Sequence, residues 1–80
     1  MIDITLSGRT RFYTRIKTFK RITPGHYTVT NTNDHEFTIK DGHTMGGRRS
    51  DWWLEDGGKL INNVIPCTSI RDALNLIENL

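Results

Sequence analysis

Ile2, Ile4 and Leu6 alternate with Asp3 and Thr5, a period of two that predicts a short strand ending at Ser7-Gly8. The next stretch, RTRFYTRIKTFKR over residues 9–21, reads two ways. As a strand it puts Arg9, Arg11, Tyr13, Arg15 and Lys17 on one face and Thr10, Phe12, Thr14, Ile16 and Thr18 on the other. As a helix it sets Phe12, Ile16 and Phe19 at i, i+4 and i+7. The β-branched threonines and the Phe-Tyr pair favour the strand, and the helical spacing leaves the alternative open. In both geometries the cations separate from Phe12 and Ile16, the expected anchors of this segment.

Thr23-Pro24-Gly25 predicts a turn, because proline presets φ and glycine accepts a positive φ. HYTVT and EFTIK follow, each alternating apolar residues with threonine. Their apolar pairs all sit at odd positions. A two-residue loop would place them on opposite faces, whereas a loop over residues 32–34 sets Val29 opposite Phe37 and Tyr27 opposite Ile39. Asn33 or Asp34 can supply the left-handed residue that such a loop needs. DGHTMGGRRS, residues 41–50, is a glycine-rich connection to a strand at DWWLE. Asp56-Gly57-Gly58 turns the chain, KLINNVI returns it, and Pro66 closes the sheet region.

The C-terminal segment has a helical period. Ser69 is the expected N-cap, with Asp72 at N3 as a capping-box variant and a first-turn acid. Ile70, Ala73, Leu74 and Ile77 form one stripe, with Leu76 and Leu80 at its edges. A helix this short needs a surface to pack on. The expected fold is α+β: a small antiparallel sheet of four to five strands, curling toward a barrel, with one C-terminal helix on one face.

Eighty residues make one domain, and a chain of this size buries only about 60–65% of its unfolded surface. Sharing a core as a homodimer would offset that small interior. The chain is 25% charged and 35% hydrophobic, a globular composition. No long apolar run predicts a membrane span, and the first residues have neither the basic nor the apolar region of a secretory signal. Cys67 is the one cysteine, so no internal disulfide forms. These features lead us to expect a cytoplasmic protein.

Charge changes the picture more than composition does. Residues 1–49 carry nine Lys/Arg against four Asp/Glu, and residues 50–80 carry two against five. Such polarity steers an anionic partner to one side and also allows oppositely charged halves of two chains to pair. The densest positive segment is residues 9–21, with six cations and no acid. On a strand, same-face cations repeat about every 7 Å, a spacing comparable with phosphates along an extended nucleic-acid strand. Arg9, Arg11, Arg15, Lys17, Lys20 and Arg21 are the candidate phosphate contacts, and Tyr13 is the candidate base-stacking ring. An edge strand protected by its charges is the competing reading. Arg48 and Arg49, in GGRRS, add a second basic element on a loop whose backbone N–H groups can mould around a phosphate, although the Gly-Lys-Ser ending of a Walker loop is missing.

Trp52 and Trp53 face opposite sides of their strand, with Leu54 beside Trp52 and with Asp51 and Glu55 beside Trp53. Trp52 is therefore the expected core residue and Trp53 the more exposed one, a candidate anchor for a protein partner. His26, His35 and His43 have no cysteine or acid at zinc-like spacing, so no metal or cofactor is expected. Cys67 precedes the helix and reads as a buried apolar thiol. No nucleophile–base grouping stands in the sequence, so no catalytic residue and no enzyme is expected.

In manner, this small chain, rich in threonine and asparagine, with a basic β stretch and a capped C-terminal helix, is similar to the small accessory proteins of large tailed phages. The resemblance spans the whole chain, rests on no single motif and assigns no site. It implies inhibition of a host factor or of a nuclease defence, in the host cytoplasm. The expected activity is non-catalytic nucleic-acid binding, with RNA favoured over DNA because no helix-turn-helix pattern is present. The alternative is a protein-binding inhibitor that docks an acidic partner through the basic patch or Trp53.

Overall fold

Strand β1 (Ile2–Leu6) turns through Ser7-Gly8 into β2 (Arg9–Tyr13), and both turn residues have positive φ, 52° and 76°. That is the geometry of a tight two-residue hairpin, whose twist matches the strands it joins. The turn sets the register Leu6↔Arg9, Ile4↔Arg11 and Ile2↔Tyr13. The structure is a computed structural model that describes residues 1–43, 51–61 and 67–80.

The hairpin register overturns the expected facing of residues 9–13. A two-residue turn pairs even positions of β1 with odd positions of β2, so Tyr13 joins the apolar face of Ile2 and Ile4. Tyr13 is 1% exposed and Phe12 is 55% exposed, the reverse of the expected anchoring. The basic stretch is also not one strand. It bends at Thr14-Arg15 and continues as β3 (Ile16–Thr23) in a second sheet. Tyr13 and Ile16 are both buried, and residues three apart cannot share one face of a straight strand. The bend reconciles them.

The second sheet has the order β3, β4 (His26–Asn31), β5 (Glu36–Asp41), β6 (Trp52–Asp56), β7 (Lys59–Leu60), with every pair antiparallel. Register shifts bracket the middle of β3, where Lys17 and Ile22 are the extra residues. The hairpin of β4 and β5 has the expected register, Val29↔Phe37 and Tyr27↔Ile39. Asp34 supplies the left-handed residue at φ 62°. The Asn31 side-chain oxygen accepts the N–H groups of Asn33 and His35, both at 2.9 Å, which ties down the loop. His35 Nε2 meets Asp56 Oδ1 at 2.5 Å and joins this loop to the Gly57-Gly58 turn. Among the described residues the sheet is open, with β3 and β7 at its edges.

Helix α1 (Ile70–Glu78) is capped by Ser69, whose hydroxyl accepts the Asp72 N–H at 3.2 Å. The Asp72 carboxylate accepts the Thr68 hydroxyl. Ala73, Leu74 and Ile77 are buried with Val29, Ile39 and Leu54 from the five-stranded sheet and with Ile4, Tyr13 and Ile16. The architecture is α+β: two antiparallel sheets and one C-terminal helix packed on the sheet. No helix among the described residues is long and apolar enough to cross a membrane.

Candidate nucleic-acid interface

The bend at Thr14-Arg15 divides the candidate cations. Arg9 and Arg11 stand on β2 opposite Leu6 and Ile4, at the exposed side of the hairpin's apolar face. The Arg11 guanidinium carbon lies 6.0 Å from the centre of the Tyr13 ring. On β3, Lys20 pairs with Thr28 and Arg21 with Tyr27, so these neighbours leave the sheet on opposite faces. No continuous row of cations exists along residues 9–21.

One of the six, Lys17, is ion-paired, and a second, Arg15, lies near an acid without a side-chain ion pair among the described residues. Lys17 Nζ meets Asp34 Oδ1 at 2.7 Å, an exposed pair. Arg15 lies beside Glu78, whose carboxylate accepts the backbone N–H groups of Arg15 at 2.7 Å and Thr14 at 2.9 Å, while the Arg15 guanidinium donates to Leu80 O at 3.4 Å. Partial burial pushes the Glu78 carboxyl up, and the two N–H groups, the Thr14 hydroxyl and the Arg15 charge outweigh it, so the group titrates below its ordinary value. By contrast Arg9, Arg11, Lys20 and Arg21 are exposed and form no ion pair among the described residues.

Tyr13 is withdrawn from the candidate contacts. Its ring is inside the protein, and its hydroxyl is buried without a hydrogen-bond partner among the described residues. The exposed ring of the stretch is Phe12. Trp53 is half-buried, opposite Lys40, whose ammonium pairs with the buried Glu55 at 2.9 Å. Trp52 packs on the core, as expected. Arg48 and Arg49 lie outside the described residues. At the root of β5 and β6, the Gly42 N–H donates to Asp51 O at 2.6 Å. That root adjoins the Pro24-Gly25 turn, since Asp41 N–H donates to Gly25 O at 2.9 Å.

One cation escaped the sequence reading. Arg71 Nη2 donates to the carbonyls of Leu6 and Arg9, both at 3.2 Å, and so pins the hairpin turn to the first turn of α1. Its position two residues after the N-cap was the available signal. No family model, no curated protein and no solved structure matches this chain.

Proposed function

We propose that the protein is a non-catalytic nucleic-acid-binding protein that takes single-stranded RNA ahead of DNA. The observation that carries this reading is the set Arg9, Arg11, Lys20 and Arg21: exposed, held on strands, and without an ion pair among the described residues. The chain has nine carboxylates, and Lys17 and Lys40 do find acids, so the solitude of these four is not a shortage of anions. A polyanion would neutralise them and release counterions. Their division between two sheets and two faces suits a flexible strand that wraps an edge better than a straight duplex. The buried stripe of α1 commits that helix to the core, which argues against reading a major groove. Phe12, exposed on the face of β2 opposite Arg9 and Arg11, is the ring of this stretch available for stacking. Covering nucleic acid in this way would serve the inhibition of a host factor or nuclease defence.

The test is fluorescence anisotropy with labelled oligouridine at low salt. The wild-type chain should bind, and changing Arg9, Arg11, Lys20 and Arg21 together to Ala should weaken binding by about tenfold or more. Absence of binding at low salt, or an unaffected variant, overturns the reading. So does a stoichiometric protein partner that survives nuclease treatment of the purified material.

A further inference from the structure

A cavity of about 320 Å³ opens between the tip of the β1–β2 hairpin, the start of β6 and the beginning of α1. Leu6, Trp52 and Ile70 supply its apolar wall, and Ser7, Thr68 and Ser69 bring hydroxyls. Arg71 is its one ionisable lining residue among the described residues. Its volume is at the low end of ligand sites, enough for a single nucleotide and not for a longer strand.

The charge within it is fixed and has no ion-pair partner among the described residues. Arg71 Nη2 is held by two carbonyls, which orient the guanidinium without neutralising it. The nearest acid in sequence, Asp72, is turned to the Thr68 hydroxyl, and Arg71 forms no ion pair among the described residues. A preorganised guanidinium with no ion pair among the described residues suits an anion, and the planar fork matches phosphate oxygens. Trp52, already packed against Tyr27 at 6.0 Å between ring centres, offers a rigid aromatic surface on the same cavity.

We propose that this cavity binds one nucleoside monophosphate unit, such as the phosphorylated end of a strand, with the base against Trp52 and the phosphate at Arg71. The choice of ligand rests on the nucleic-acid reading above, but the site is distinct from the four exposed cations.

Adenosine monophosphate, adenosine and inorganic phosphate are titrated into the full chain by calorimetry. The monophosphate should bind saturably and at least about tenfold tighter than adenosine or phosphate alone, because both contacts are needed. Ser69→Asp keeps a competent N-cap and places a carboxylate in the cavity, so it should cost at least about tenfold in monophosphate affinity with an unchanged melting temperature. The Arg11→Ala, Lys20→Ala double variant should bind the monophosphate as the wild type does. Failure of saturable binding, a monophosphate no tighter than phosphate, or an indifferent Ser69→Asp overturns the proposal. If oligouridine still binds in that case, only the cavity is lost. If the monophosphate binds and oligouridine does not, only the surface reading is lost.

Discussion

Glu78, at the last turn of α1, accepts the backbone N–H of Arg15 at 2.7 Å and so holds the corner where the chain passes from one sheet to the other. The Thr14 N–H donates to the same carboxylate. Two amides that a bend removes from the strand ladders are thereby satisfied by one side chain from the other end of the sequence.

Glu78→Ala should therefore cost about 2 kcal/mol, the worth of hydrogen bonds to a charged group. Because the folded carboxyl titrates below its ordinary value, it stabilises the fold above that value, 4.5, and the contribution disappears as pH falls through the lower folded value. Denaturant melts of the wild type and Glu78→Ala should differ at neutral pH and converge in acid. A gap that persists in acid would assign the loss to packing.

The buried Tyr13 hydroxyl is a second test of the corner. It has no partner among the described residues, and an unsatisfied buried hydroxyl costs about 1–3 kcal/mol. Tyr13→Phe should keep or raise the melting temperature, whereas Tyr13→Ala should lose about 3–5 kcal/mol through the cavity it leaves. A fall in Tyr13→Phe would mean that the hydroxyl is bonded.

Gly25 is required at the Pro24-Gly25 turn for two reasons. Its φ is +79°, and a Cβ there would push the Asp41 carboxylate aside. Gly25→Ala should destabilise the protein by about 1–3 kcal/mol, measured by chemical denaturation. Gly57→Ala also meets a positive φ but open space, so it should cost less.

Lys17 and Lys20 separate the two roles of the basic stretch. Lys17 is paired with Asp34 across an exposed contact, worth about 0–1 kcal/mol, and Lys20 has no such partner among the described residues. Lys20→Ala should weaken oligouridine binding more than Lys17→Ala, with both melting as the wild type. Equal losses would mean that the strand displaces Asp34.

The parts legible from sequence were those in which local chemistry and parity agreed. The β4–β5 register follows from odd-numbered apolar residues and an Asp able to adopt a left-handed backbone, and the Ser69 cap follows from its spacing to the stripe behind it. The failure at residues 9–13 had a readable cause. Ser7-Gly8 is a two-residue turn, and counting from it puts Tyr13, not Phe12, with the apolar side of β1. The bend at Thr14 was not readable, because it depends on Glu78, sixty-four residues away.

The most direct measurement is the salt dependence of oligouridine affinity. Four exposed cations, each meeting one phosphate of a single strand, give a slope of log affinity against log salt of about −3, at roughly −0.7 per contact. Removing Arg9 and Arg21 together should bring it to about −1.4. Affinity independent of salt, or a slope unchanged by that double substitution, would contradict a surface built from these residues.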